Sequence, residues 1–222
     1  AFEQYKAQRE ETPEAIRLSV PIIKEIIRAY RIPILEVAGY EADDVIGTLA
    51  TEAGRQGIIT YMMTPDKDYG QLVSDKVFMY RPKHTGGFEV MGVDEVKAKF
   101  DIQSPAQVID MLGLMGDSSD NIPGCPGVGE KTAQKLIAEF GSIENLLEHT
   151  DQLKGALKTK VETNREMITF SKFLATIKID VPIQLDMDSL VREQADEDSL
   201  RQIFEELEFR TLIDRVLKKE NA

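Results

Sequence analysis

The chain has 222 residues, 42% of them hydrophobic and 30% charged, with 39 acids against 27 bases and a formal charge of −12. This is the balance of a globular chain long enough for one large domain or two small ones. No apolar run is long enough to span a membrane, no signal peptide is visible, and the single cysteine, Cys125, excludes an internal disulfide and agrees with a reducing, cytoplasmic setting.

From the amino end, AFEQYKAQREETPEAIRL is polar and reads as helix, with Lys6 and Arg9 one turn apart. Taken alone, those two are a solvated basic face. Thr12-Pro13-Glu14 is a helix start, with Thr as N-cap and Pro at the first position. Pro21 predicts a break, with a second helix from about Ser19 to Tyr30 that buries Ile23, Ile26 and Ile27. Ile34–Val37 reads as a short strand, followed by GYEADDVIGTLATEAGRQG, an amphipathic helix closed by Gly57. Ile58–Met63 is a buried strand, then come TPDKD and a helical turn over Tyr69–Val73. Val77–Arg81 and Phe88–Met91 form a strand and its hairpin partner around a turn containing His84. Strands separated by helices at this spacing predict a parallel α/β sheet.

From Val93 the pattern is nearly all helix. Val93–Phe100 and Pro105–Leu114 lead into an acidic turn and a Pro/Gly hairpin. Ser142 caps a short helix ending near His149, where a histidine suits the helix dipole. A basic stretch from Lys154 to Arg165 precedes a long helix to about Ile177. Val181–Leu185 reads as an edge strand, and Asp198–Leu217 supplies the closing helices. A boundary near Asp101 separates an α/β half, residues 1–101, from a helical half, residues 102–222.

The densest stretch is GDSSDNIPGCPGVGEKTAQKL, residues 116–136. Gly124, Gly127 and Gly129 permit tight turns and close approach of a phosphate to the backbone. Ala133, Leu136, Ile137 and Phe140 recur on one helix face, and Gly141 ends the helix. A Gly-apolar-Gly hairpin opening a helix with Lys131, Thr132 and Lys135 has the pattern of a helix-hairpin-helix. Its amides and helix N-terminus can hold a DNA phosphate without reading sequence. An ordinary helix corner has similar residues; the adjacent acids favour the DNA reading.

Those acids form three clusters: Glu41, Asp43 and Asp44; Asp66 and Asp68; Asp117 and Asp120. Each alone suits a helix N-terminus. Together they point elsewhere, because two clusters follow strands at the sheet edge where ligands bind and the third adjoins the hairpin. Converging carboxylates repel unless cations neutralise them, and oxygen-only ligation suits Mg²⁺ or Mn²⁺. Two such ions about 4 Å apart can clamp the attacking water and the leaving oxygen of a phosphodiester. Setting the seven acids aside leaves 32 acids against 27 bases, so the bulk charge does not exclude a nucleic-acid partner. The residues read as a metal-dependent phosphodiesterase on DNA.

GYEADDVIGTLA, TPDKDYGQLVSD and GDSSDNIPGCPGVGEKTAQKLI resemble three motifs of the 5′-nuclease domain of bacterial DNA polymerase I, a relative of the flap endonucleases. The likeness runs from YKAQREETPE to FEELEFRTLIDRV. It implies a PIN-like α/β core followed by a helical subdomain with a helix-three-turn-helix. It assigns the seven acids to the metal site, with two ions, and Lys6 and Arg9 to the basic arch, where the lysine contacts the scissile phosphate. It implies hydrolysis of DNA at 5′ flaps, nicks and 5′ ends in primer removal and repair. Proofreading-like and polymerase domains would follow in a monomeric, cytoplasmic, nucleoid-associated protein. The family begins with a strand carrying an aspartate, and a second aspartate precedes the arch helix. Neither is in this sequence, which therefore reads as a fragment expected to cleave very slowly or not at all, while still binding duplex DNA through the hairpin. The rival readings are a non-catalytic helix-hairpin-helix DNA-binding fragment and a PIN-like ribonuclease.

Overall fold

The computed structural model describes residues 6–7, 10–83 and 85–217. Arg9 and His84 lie outside the described residues. The chain divides into two compact units, one of Ala1–Arg9 with Val37–Ile183, the other of Glu10–Glu36 with Gln184–Ala222.

The larger unit is built on a three-stranded sheet in the order β1 (Thr60–Met63), β2 (Val77–Pro82), β3 (Phe88–Met91). Thr60 pairs with Val77 in the parallel β1–β2 ladder, and Met79 with Met91 in the antiparallel β2–β3 hairpin. Side-chain alternation gives the sheet two faces. Met62, Val77, Met79 and Met91 turn into the core. Tyr61, Phe78, Tyr80 and Phe88 share the other face, with ring centroids 5.6 Å apart for Tyr61–Phe78 and 4.6 Å for Tyr80–Phe88. α2 (Ala42–Arg55) packs against β1, β2 and a 3₁₀ helix over Lys67–Leu72, and α3 (Val93–Phe100) follows β3.

The rest of this unit is helical, as its sequence pattern predicts: α4 (Val108–Met115), α5 (Glu130–Phe140), α6 (Ile143–Glu148), α7 (Gly155–Thr163) and α8 (Arg165–Ala175). α4 is apolar nearly all round and lies at the centre, with Val108, Met111, Leu112 and Leu114 inaccessible to solvent. Each such side chain contributes about 1.5–3 kcal/mol relative to exposure. α4 and α8 cross closely at Gly113, where a Cβ would lie 3.0 Å from Lys172 Cα. Beside the crossing, buried Asp110 accepts from Ile143 N at 2.9 Å and Lys172 Nζ at 2.6 Å, and so ties α4, α6 and α8 together.

The smaller unit packs α1 (Glu14–Ala29) with α9 (Glu197–Glu206) and short helical turns over Arg210–Leu212 and Ile213–Leu217. Its core is Ala29, Leu200, Phe204 and Leu217.

Five local expectations are corrected. Pro21 lies inside one continuous α1, and Pro13, not Thr12, is its N-cap. The bond that Pro21 cannot make falls where residues 14–21 are all exposed, so water can serve the freed carbonyl. Residues 6–7 form a turn and residues 10–13 an irregular lead into α1, not helix. Ile34–Val37 joins no ladder, because no described strand offers it backbone partners. Val181–Leu185 is not a strand either. Ile183 N donates to Val181 O at 2.7 Å across Pro182, which has no N–H, and this folds the segment into a tight turn.

Candidate active site

The third acidic cluster is held by backbone. α4 ends at Gly116, and the following loop closes with two hydrogen bonds between Asp117 and Ile122, at 2.9 and 2.7 Å. Cys125 N then donates to Leu114 O at 2.7 Å, which returns the chain to the end of α4. Gly124 sits at this junction with φ of +63°, and a Cβ there would lie 2.3 Å from Gly116 N. Its amide donates to Ser171 Oγ of α8 at 2.9 Å, in a fully buried contact. The loop therefore presents Asp117 and Asp120 from a closed frame.

The second cluster follows β1. Asp66 caps the 3₁₀ helix by accepting from Asp68 N at 3.0 Å, the ordinary work of an N-cap aspartate. The first cluster begins α2, with Glu41 at the N-cap position. Because Ile34–Val37 forms no ladder, only the second cluster directly follows a strand of the sheet.

Two lysines join the clusters. Lys67 Nζ donates to Asp117 Oδ2 and, at 3.2 Å, to Asp68 Oδ1. Lys6 Nζ pairs with Glu41 and lies 3.9 Å from Asp120 Oδ2, while Lys6 N donates to Asp120 O at 3.1 Å. The remaining acids are turned to other partners. Asp43 accepts from Tyr69 Oη at 2.8 Å, and Asp44 accepts from Lys178 N at 2.9 Å. A cleft beside them is lined by Glu41, Asp44, Phe173, Thr176 and Lys178. Lys67, Tyr69, Ser171 and Lys178 were not singled out from the sequence. Only Lys67 carried a signal, its place between two candidate acids in Asp66-Lys67-Asp68.

The electrostatics follow from this wiring. Burial pushes the Asp68 carboxyl up to about 6, against the pull of Lys67 and with help from neighbouring Asp66. Burial also raises Asp117, but the Lys67 ammonium and the amides of Ser119 and Asp120 outweigh it and hold that group below its ordinary range. The two acids share one lysine yet shift oppositely, because Asp117 has the closer contact and backbone donors as well. The ordinary value for Asp68 is 3.8, so in the fold it keeps its proton longer than in the unfolded chain. It therefore adds stability below about pH 4 and loses it as pH rises through about 6. In metal-free buffer the wild-type chain should lose on the order of 3 kcal/mol relative to Asp68→Asn between pH 4 and 7, which paired melting curves would measure.

As a cation site, the donors are carboxylate oxygens, the chemistry of a hard divalent ion. Asp68 and Asp117 already enclose a positive charge, the Lys67 ammonium, so their position fits a cation as well as their chemistry. Among the described residues, no three His, Cys, Asp or Glu side chains are drawn together as a metal-holding group.

In the hairpin, Val128 N donates to Cys125 O at 2.9 Å, and Thr132 N and Ala133 N both donate to Gly129 O at 3.0 Å as α5 begins. Lys160 Nζ reaches Gly127 O at 3.4 Å. A Cβ on Gly129 would meet nothing within 4 Å. Lys131 and Lys135, one turn apart, are exposed on α5 while Ala133, Leu136 and Ile137 pack inward. No helix among the described residues is long and apolar enough to cross a membrane.

Two family models match the chain: "5'-3' exonuclease, N-terminal resolvase-like domain" over residues 1–101 and "5'-3' exonuclease, C-terminal SAM fold" over residues 103–198. The chain is 43% identical to DNA polymerase I of Bacillus subtilis over 217 residues, covering 97% of this chain and 24% of that protein. It is 40% identical to DNA polymerase I of Bacillus caldotenax over 218 residues, covering 97% of this chain and 25% of that protein. The fold is similar to that of the bacteriophage T5 5′-exonuclease with bound zinc (TM-score 0.65, 20% identity, 94% of this chain and 77% of that one). It is also similar to the catalytic core of Rad2 in complex with DNA substrate (TM-score 0.63, 16% identity, 95% and 72%). The chain spans about a quarter of the length of the curated polymerases it matches.

Proposed function

The chain belongs to the 5′-3′ exonuclease family, and from that premise we propose that it hydrolyses DNA phosphodiesters at 5′ flaps, nicks and 5′ ends with divalent metal, as the nuclease part of a DNA polymerase I. The observation that carries the reading is the joining of the three acidic clusters through Lys6 and Lys67 in a loop frame continuous with the hairpin. Mg²⁺ or Mn²⁺, two ions in the intact domain, would be held from among Glu41, Asp43, Asp44, Asp66, Asp68, Asp117 and Asp120. Bound there, such ions would activate water and stabilise the leaving oxygen. The T5 5′-exonuclease, described as bound to divalent metal ions, supports a metal of this class.

The chain's own groups do the positioning. The hairpin at Gly127 and Gly129, with Lys131, Thr132 and Lys135, holds duplex phosphates without reading bases, whereas buried Gly124, expected from the sequence to share that work, spends its amide on Ser171 and shapes the turn behind the hairpin. Lys6, beside Glu41 and Asp120, offers a positive charge to the scissile phosphate, and the family resemblance gives Arg9 the same task. Tyr69 and the Lys178 amide fix the directions of Asp43 and Asp44. In this reading the nuclease part falls within residues 1–101, where the sheet lies, and the helical DNA-binding part within residues 102–222, where the hairpin lies. The intact protein is a monomer with proofreading-like and polymerase domains attached, in the bacterial cytoplasm at the nucleoid.

The test is single-turnover incubation with a 5′-labelled flap duplex, with and without Mg²⁺ or Mn²⁺. Metal-dependent release of 5′ products supports the reading. Tight duplex binding with no release at any metal concentration would leave the non-catalytic binding module instead. For the hairpin, Lys131→Ala/Lys135→Ala should weaken duplex binding equally for all sequences and lower the salt slope by about two counterions. Unchanged slopes in titrations at two or more salt concentrations would remove α5 from the interface.

A further inference from the structure

Lys67 is the positive charge between the second and third acidic clusters. Its ammonium bonds both Asp68 Oδ1 and Asp117 Oδ2 from the first residue of a 3₁₀ helix whose N-cap is Asp66. The two carboxylates are nearly covered, with side chains 14% and 5% exposed, while 35% of the lysine side chain meets solvent. Two covered like charges need a neutralising partner. A lysine supplies one on a flexible four-carbon stem that can also turn its ammonium out into water. A guanidinium or a buried amine would be harder to displace.

We propose that Lys67 is a built-in counter-ion that holds Asp68 and Asp117 in place until a divalent cation replaces its ammonium between them. Lys67 is thus a positioning residue for the empty site and a competitor for the filled one. The proposal rests on the divalent-metal reading of the acidic face given above. It differs from a fixed structural ion pair in sign. If Lys67 only braced the site, its loss would loosen the acids and weaken metal binding. If it competes, its loss strengthens metal binding while destabilising the metal-free chain.

The experiment is Mn²⁺ titration of the metal-free chain, with free Mn²⁺ followed by electron paramagnetic resonance, and melting curves with and without saturating Mn²⁺. Wild type, Lys67→Gln and Lys67→Arg are compared. Lys67→Gln should bind Mn²⁺ about tenfold more tightly, the scale expected when a competing charge a few ångströms away is removed. Without metal it should melt roughly 5 °C below wild type, and saturating Mn²⁺ should abolish that difference. Lys67→Arg keeps the charge in a form harder to displace and should bind Mn²⁺ no more tightly than wild type. Equal or weaker Mn²⁺ binding by Lys67→Gln, in a chain that binds the ion in wild-type form, would overturn the proposal and leave the metal reading standing. No Mn²⁺ binding by wild type would overturn both. Should Lys67→Gln fold only with metal, the proposal holds; failure to fold with metal as well would overturn it.

Discussion

Gly124→Val should collapse the acidic loop and with it the hairpin. The new Cβ would lie 2.3 Å from Gly116 N and 2.7 Å from Met115 C, both backbone atoms that no rotamer change can move. The φ of +63° adds the strain of a branched side chain in left-handed backbone. The amide that reaches Ser171 would have to leave it, so a buried polar contact would break at the same time. A loss of at least ~3 kcal/mol is expected, about 10 °C in melting temperature for a chain of this size. Gly129→Val is the matched control. Its Cβ enters open space at a φ of −95°, so the fold should survive while duplex affinity falls, because the side chain would hold phosphate away from the hairpin amides. Equal melting temperatures for the two variants would show that the glycine junction does not set the loop.

The second large effect is on cleavage. Asp68→Ala/Asp117→Ala removes both carboxylates that meet at Lys67 and leaves that ammonium alone in the site. If this pair holds a catalytic cation, the loss is several kcal/mol of transition-state stabilisation, or ~10³-fold or more in the metal-dependent single-turnover rate. Duplex binding through Lys131 and Lys135 should stay within a few-fold, because those residues lie on α5 and not in the loop. A cleavage rate within tenfold of wild type would remove the pair from the chemistry.

What could be read from the sequence, and what could not, divides by the range of the interaction concerned. α4, α5 and the Ser142 cap were legible because periodicity, glycine stops and capping residues act over a few positions. The sheet strands β1–β3 were legible for the same reason. Ile34–Val37 was misjudged because an apolar run only becomes a strand when another strand lies beside it. Pro21 was misjudged because breaking a helix depends on whether water can serve the orphaned carbonyl. In the site, the acids stood out as residue types, but the partners that aim them did not. Tyr69 lies 26 positions from Asp43, and Lys178 lies 134 from Asp44. Such pairings are products of packing, and one sequence does not print them.

The Gly124–Ser171 contact also bears on the order in which the site is made. The bonds that close the acidic loop, Leu114 to Cys125 and Asp117 to Ile122, join residues 11 and 5 positions apart. The serine that pins the loop from outside lies 47 residues further along the chain. A ribosome working at ~5–20 residues per second therefore delivers both loop acids and the hairpin seconds before it delivers their anchor. Until α8 is made and docked, the loop has only its own short-range bonds. During synthesis, the acids of the candidate active site exist first as a local turn and become part of a fixed frame only when the helical half closes over them.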